Sequence, residues 1–253
     1  MKVAVCVGGQ LRRDDHTLKL TRDLLRDAFP TADFFYAVWR DDWLNRPEAT
    51  SMLSELATVR VIEEYDIHYH PYEDNKDCGI DTTYWHKKFE FPNPDRHLHQ
   101  TKQILNHNTM MKNYMMDYDV IVRSRFDALL SPFVKYDTLL KECLNYPATI
   151  SITDGLQSKT SGYSLYDKLV YENDSSRSRM CGDSGTIIHR AADWDCDLVE
   201  RLHNDKKLLA AEFGWYQSLV QYTTHKNYIS YNGASKLTRC HSKDEIRNFE
   251  ATL

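Results

Sequence analysis

No two of the six cysteines (Cys6, Cys78, Cys143, Cys181, Cys196, Cys240) stand in a C-x-x-C pair. That spacing argues against a zinc ribbon and against a dithiol redox motif. Several fall inside apolar runs, where a reduced cysteine behaves as a small hydrophobe, so a reducing cytoplasm is the expected compartment. No apolar run approaches the ~20 residues of a membrane helix, and contact with a membrane is expected only at its surface. Met1-Lys2 leads straight into a strand-like run without the apolar stretch of a secretory leader, so none is expected. There is no excess of basic residues. The formal charge is -5, which argues against a broad nucleic-acid-binding face while leaving room for a local basic groove. Internal repeats, low-complexity segments and a clear interdomain linker are also missing. Neither G-x-G-x-x-G nor the P-loop spacing occurs, and no G-x-S-x-G elbow supports a serine hydrolase.

What is present is an ordinary globular composition, 42% hydrophobic and 27% charged over 253 residues, ample for a core. The sixteen tyrosines fit either a cleft for flat or sugar-like ligands or plain packing. Lys2 to Val7 reads as a buried strand closed by Gly8-Gly9. Asp14-Asp15 caps a helix through Leu18, Thr21, Leu25 and Phe29, ended by Pro30. Asp33 to Trp39 is a second strand, Pro47 to Leu56 a short helix, and Val59 to Ile62 a third strand. This β-α-β-α-β order implies parallel strands with helices on their faces. Tyr65 to Arg96 and Gln157 to Gly182 read as long polar loops. Between them lie a helix from Leu98 to Met116, a helix from Tyr136 to Leu144 and a strand from Thr149 to Thr153. A strand from Gly185 to His189, helices over Ala192–Leu202 and Lys207–Thr223, and a strand from Tyr228 to Tyr231 follow, then a polar tail.

The most telling stretch is Tyr118 to Leu130, which reads as one strand because it is rich in β-branched residues and alternates. Alternation puts Ile121, Arg123, Arg125 and Asp127 on one face. Two arginines and a carboxylate are costly to bury at the end of an interior strand without partners. An anionic ligand, with or without a metal, would supply them. The plainer alternative is a strand end that emerges into solvent with a local Arg–Asp pair. Mg²⁺ and Mn²⁺ favour carboxylate oxygens, which makes Asp127 the candidate metal or ribose ligand. Arg123 and Arg125 would instead neutralise a diphosphate directly, because a guanidinium fork matches phosphate oxygens.

Ligands of open α/β sheets sit beyond the carboxyl ends of strands, and the first strand ends in Gly8-Gly9-Gln10-Leu11-Arg12. Glycine lets backbone N–H groups approach a nucleotide, and Gln10 and Arg12 are placed to add base, ribose or phosphate contacts. An ordinary strand-to-helix turn explains the same residues, and Arg13 reads as a solvated neighbour. Asp183, in Gly182-Asp183-Ser184-Gly185, is a candidate proton acceptor for a hydroxyl, or a turn carboxylate. Glu212 is a second candidate whose default is a helix surface. The pairs His68-x-His70 and His97-x-His99 lie in or beside irregular sequence without an acidic residue at diagnostic spacing, which favours no metal there.

Three segments together resemble the small bacterial and viral GT-A-like glycosyltransferases of the lipopolysaccharide and capsule type. They are Val3 to Arg12, similar to a strand ending in G-Q-L-R; Tyr118 to Asp127, like Y-D-x-x-x-R-x-R-x-D; and Gly182 to Ile188, like a later acidic segment before a strand. The resemblance implies a GT-A-like α/β fold, a mixed, mostly parallel central sheet flanked by helices, in one domain over 1–253. Its Rossmann-like nucleotide-binding half would be 1–130 and its acceptor-side half 131–253. It implies a nucleotide-diphosphate sugar as donor, such as a UDP-sugar. The acceptor would be a hydroxyl of a surface glycan precursor or a phage-type hydroxymethylated DNA base. Gly8, Gly9, Gln10 and Arg12 would lie near the nucleotide, Asp127 near Mn²⁺, Mg²⁺ or the ribose, and Asp183 on the acceptor side. Arg123 and Arg125 would face the diphosphate or support the site from behind. Where the family carries D-x-D, this chain reads Arg125-Phe126-Asp127, so the first carboxylate is missing. The rival readings are a nucleotidyltransferase and a non-catalytic nucleotide- or glycan-binding module.

Overall fold

A computed structural model of the chain describes residues 1–9, 11, 15–40, 45–55, 57–63, 103–145, 148–154, 186–205, 227–237 and 243–251. The strands are β1 (Val3–Gly9), β2 (Asp33–Trp39), β3 (Ala57–Glu63), β4 (Val120–Arg125), β5 (Ala128–Leu130), β6 (Ala148–Asp154), β7 (Thr186–Arg190) and β8 (Asn227–Leu237). The helices are α1 (Asp15–Ala28), α2 (Pro47–Ser54), α3 (residues 103–115, the last turn Met111–Met115 being π-helical), α4 (Tyr136–Asn145), α5 (Cys196–Asn204) and α6 (Lys243–Glu250). The eight strands form one hydrogen-bonded order, β3-β2-β1-β4-β7-β6-β8-β5. Pairs β1–β2, β2–β3, β1–β4 and β6–β8 are parallel; β4–β7, β6–β7 and β5–β8 are antiparallel. The mixed, mostly parallel sheet flanked by helices is therefore present.

The helices cover both faces, so the inner strands are apolar on each side. Val3, Val5, Val7, Val120 and Val122 pack against Leu18 and Leu25 of α1, Leu53 of α2 and Leu139 and Leu140 of α4. The alternate residues Ala4, Cys6, Phe35 and Ile121 pack against Ile104, Met110, Met111 and Met115 of α3 and Val199 of α5. Each of these four α3 side chains contributes about 1.5–3 kcal/mol by burial, which fixes α3 along β1 and β4. Pro47 starts α2 at its first turn, where a missing N–H costs nothing.

Several local expectations are corrected. The strand Tyr118–Leu130 is not continuous. Its ladder with β1 ends at Gly8↔Arg125 and its ladder with β7 at Arg123↔Ile187. With no neighbour beyond, Phe126 and Asp127 form a turn, and Phe126 folds back onto Tyr36, ring centroids 6.0 Å apart. Asp127 thus leaves the alternating face of the strand. Only these two residues join β4 to β5, yet β5 pairs with the end of β8. Two residues reach about 10 Å at most, so β8 must bend back toward the tip of β4. The bend coincides with the register shift between Thr153↔Asn232 and Asp154↔Ser235.

The helix expected over Ala192–Leu202 starts later. Arg190 forks Asp193 at 2.8 and 2.6 Å across a 3₁₀ turn, and the Asp195 carboxylate then accepts the Leu198 N–H at 2.9 Å as the cap of α5. An N-cap side chain that satisfies an otherwise orphaned N–H sets where a helix begins. The polar tail also contains α6, whose Ile246 packs with Leu24 and Leu129, with Phe249 beside them. The expected helix Lys207–Thr223 and both long polar loops lie outside the described residues. No helix among the described residues is long and apolar enough to cross a membrane.

Candidate functional site

Strand order reverses direction of growth at β1: the chain builds outward to β2 and β3, then returns to add β4 on the other side. A crevice forms outside the carboxyl ends of strands at such a switch point, because the connections leave on opposite faces. The two motifs singled out in the sequence both end there. Register places Cys6 beside Arg123, Val7 beside Ser124 and Gly8 beside Arg125.

Gly9 has φ 116°, a conformation open to glycine and strained for other residues. A Cβ built there would stand 3.3 Å from the Gln103 Nε2, whereas one at Gly8 would meet the Ala37 Cβ at an ordinary 3.8 Å. Gly9→Ala is therefore expected to lose about 2 kcal/mol, the strain of a side chain held in this region. Gly8→Ala should lose less than about 0.5 kcal/mol, as an uncrowded substitution does. Urea unfolding of the two variants checks this. Equal losses would mean that the turn, as opposed to the strand, does not require a glycine.

Arg123 is 6% exposed and donates from Nη2 to the Gln103 Oε1 at 3.1 Å. Arg125 folds onto Asp127, Nε to Oδ1 at 2.7 Å and Nη2 to Oδ2 at 2.9 Å. The side chains of this fork are 13% and 5% exposed. The local Arg–Asp pair is thus real but mostly buried. On the opposite face of β4, the Ser124 and Thr186 hydroxyls share a hydrogen bond of 2.8 Å.

Arg46 anchors the segment after β1. Its Nη1 donates to the Leu11 carbonyl at 2.8 Å and its Nη2 to the Asp15 carboxylate. The backbone beyond Gly9 is thereby tied to the first turn of α1.

Behind Arg123 lies a buried aromatic cluster. The His107 ring meets Trp194 edge-on at 4.6 Å and His189 at 5.9 Å, and the Trp194 Nε1 donates to the Asn108 Oδ1 at 2.8 Å. Burial, then the neighbouring His189 and Arg123 charges, holds the His107 imidazole well below its usual range. Burial likewise lowers His189 to about 4, against smaller opposing effects of its bond to the Arg190 carbonyl and of Asp193. Both rings are neutral at pH 7, so this wall adds shape without adding charge.

Of the residues expected at the site, Gly8, Gly9, Arg123, Arg125 and Asp127 are brought together. Gln10, Arg12, Arg13, Asp183, Glu212 and the histidine pairs lie outside the described residues. Gln103 and Arg46 were not anticipated. A single glutamine in a long helix and an arginine before a proline carry no spacing signal, and only the topology brings them to β1. The described residues offer one carboxylate, already forked by Arg125, and no convergent group of three or more His, Cys, Asp or Glu. Among the described residues, then, only Asp127 could offer Mn²⁺ or Mg²⁺ a carboxylate oxygen here, and both of its oxygens accept from Arg125. A separate cleft of about 420 Å³ lies among Leu24, Ala28, Leu130, Val134 and Tyr136; neither Gly9 nor the β4 arginines line it.

No protein-family model matches the chain, and no curated protein matches it either. Solved structures that it resembles in shape include 4-diphosphocytidyl-2C-methyl-D-erythritol synthase from Anaerococcus prevotii DSM 20548. There the identity is 8%, the TM-score 0.48, and the match covers 99% of this chain and 95% of that one. Another is a glycosyltransferase involved in glycosylating the major capsid of PBCV-1, with 7% identity, a TM-score of 0.42, and coverage of 92% of this chain and 82% of that one.

Proposed function

We propose that this chain is a glycosyltransferase that takes its sugar from a nucleotide-diphosphate donor bound at the carboxyl ends of β1 and β4. The observation that carries this reading is the meeting, at the topological switch point, of the Gly9 bend with Arg123 and the Arg125–Asp127 fork. The bend brings backbone N–H groups near a nucleotide, and guanidinium groups suit the oxygens of a diphosphate. In the reaction an acceptor hydroxyl oxygen bonds to the anomeric carbon while the bond from that carbon to the donor phosphate oxygen breaks. The nucleoside diphosphate departs with the electron pair. Its growing negative charge is stabilised by donors fixed in advance, which need no rearrangement as the charge appears. Arg123 is assigned that work. Arg125 shares it while holding Asp127, which is assigned to the ribose side. The acceptor proton passes to a base, for which Asp183 is the proposed residue, with Gln10 and Arg12 completing the nucleotide contacts. The acceptor is proposed to be a surface glycan precursor; a hydroxymethylated base in DNA would need basic residues around the site.

The test is a thermal-shift panel of nucleosides, nucleoside diphosphates and their sugars, with and without Mn²⁺, on the wild type and Arg123→Gln. A ligand at one hundred times its dissociation constant adds about 2.7 kcal/mol to the native state, or several degrees for a chain of this size. Stabilisation by one nucleoside diphosphate and its sugars, reduced in Arg123→Gln, is the expected result. Release of the nucleoside diphosphate on incubation with the matching donor should follow. Pyrophosphate release from a triphosphate would replace this reading with nucleotidyl transfer. Binding without turnover in the presence of varied acceptors would leave a binding module, and no binding at all would overturn the donor site.

A further inference from the structure

We infer that Arg46 is a positioning residue for the donor nucleotide, its guanidinium stapling the chain that leaves the Gly9 bend to the start of α1; the inference rests on the glycosyltransferase reading. β1 lies between β2 and β4. The arginines of β4 stand on one flank of the strand end, and Arg46 belongs to the connection that leaves the other neighbour, β2. Its Nη1 donates to the Leu11 carbonyl at 2.8 Å and its Nη2 to the Asp15 carboxylate. One planar fork thus joins Leu11, whose side chain is buried in the core, to the first residue of α1. Leu11 stands in sequence between Gln10 and Arg12, the two residues proposed to contact the nucleotide, so the bond grips the backbone between them.

The staple has a fixed base. The Arg46 carbonyl accepts the Thr50 N–H at 3.0 Å and the Thr50 hydroxyl at 3.2 Å, and Thr50 is buried. Pro47 keeps the residue before it out of the helical region, and Arg46 accordingly has φ -131° and ψ 62°. Ala49 and Leu53 lock α2 into the same core that holds Leu11. The two arms of the fork are unequal. The Asp15 side chain is 59% exposed, and an ion pair in that setting contributes little. The bond to the Leu11 carbonyl is charge-assisted and directional, and that peptide cannot turn without breaking it. Asp15 therefore aims the fork, while the Leu11 arm holds the backbone. Apparent affinity is the intrinsic affinity scaled by the fraction of molecules already in the binding arrangement. A staple that raises this fraction acts on the shape of the segment, so it helps a nucleoside and its diphosphate alike.

The test compares Arg46→Met, Arg46→Lys and Asp15→Asn with the wild type, each shown to be folded by its urea transition. Calorimetric titrations use whichever of UDP, CDP, GDP and ADP stabilises the wild type, together with its own nucleoside. A hydrogen bond from a charged group biases an arrangement by about tenfold, and molecules that stay arranged without it soften the loss, so Arg46→Met should weaken both ligands by about fivefold. Arg46→Lys keeps the charge without the planar fork and should weaken both nearly as much. It is also the milder change and decides the matter if Arg46→Met does not fold. Asp15→Asn keeps an acceptor oxygen and should stay within about twofold of the wild type. In the release of diphosphate from the matching donor, Arg46→Met should raise KM by the same factor with kcat held within about twofold, the mark of uniform binding lost. A larger loss for the diphosphate than for the nucleoside, or full recovery in Arg46→Lys, would make Arg46 a charge acting on the phosphates and overturn the staple. A loss in Asp15→Asn as large as in Arg46→Met would move the work from the Leu11 arm to the ion pair and overturn it too. Unchanged affinities in the folded Arg46 variants would reduce the residue to a support of the fold, with the donor reading intact. A wild type that binds none of the four diphosphates would remove the donor reading and this inference together.

Discussion

Asp127→Ala is expected to lose about 3 kcal/mol of folding stability, the cost of stripping one partner from a buried ion pair. The figure sits at the low end for such pairs because the Arg125 side chain keeps some contact with solvent, 13% against 5% for Asp127. The guanidinium loses both arms of its fork, at 2.7 and 2.9 Å, and cannot shed its charge in response. Replacing both residues, as in Arg125→Met with Asp127→Leu, should cost much less than the two single changes added together. Apolar groups of similar volume need no desolvated partner, and residues in direct contact couple. Urea unfolding of the two singles and the double closes the cycle. A loss below about 1 kcal/mol in Asp127→Ala, or simple additivity, would show that the fork contributes as little as an exposed pair. On the proposed donor reading the same variant should also weaken diphosphate binding, because Arg125 would lose the fork that sets its orientation.

The second large effect is on pH. An ordinary histidine in the unfolded chain takes up a proton near pH 6.5, whereas His189 in the fold stays neutral down to about 4. Between those values the unfolded state binds a proton that the folded state refuses, so stability falls as the pH is lowered through that window. The fall amounts to about 3 kcal/mol for His189, and it levels off below pH 4 once the folded form is protonated too. His107 acts in the same direction, its proton opposed by burial and by the His189 and Arg123 charges. Carboxylates contribute their own losses below pH 5. The informative quantity is therefore the difference between wild type and His189→Gln, measured by urea unfolding between pH 7.5 and 4.5. The variant should lie below the wild type at pH 7.5, because the ring packs against His107 and Trp194, and should approach it as the pH falls. Parallel curves would remove His189 as the source of acid sensitivity.

The elements legible in the sequence are those whose signals are local. Strand β2 runs over Asp33–Trp39 as read, because a run of aromatic and apolar residues follows the helix-ending Pro30 directly. Helix α1 likewise shows its period in Leu18, Thr21 and Leu25 and its acidic start in Asp15. What escaped depends on distant partners. The break after Arg125 follows from where two neighbouring ladders run out, and neither neighbour is near it in sequence. The polar tail hides α6 because only Ile246 and Phe249 form its apolar side, and they count as a face only once Leu24 and Leu129 are there to meet them. The site divides the same way. Gly9, Arg123, Arg125 and Asp127 stood out as improbable residues at strand ends, whereas Gln103 and Arg46 became visible only as contacts.

The pairing of β5 with β8 joins Ala128 to Leu237 and Leu130 to Ser235, across roughly a hundred residues of intervening chain. Such a contact closes a long loop, and the entropy of that closure must be met before the contact returns any stability. The tip of β4, which carries Arg125, is paired with β1, whereas β5, two residues on, gains its partner only after β8 has been made. During synthesis the Gly9 bend and the neighbouring parallel strands can pair long before the chain reaches β8. Until β8 has been made, β5 has no strand to pair with, and that edge of the sheet is finished only when β8 returns to it.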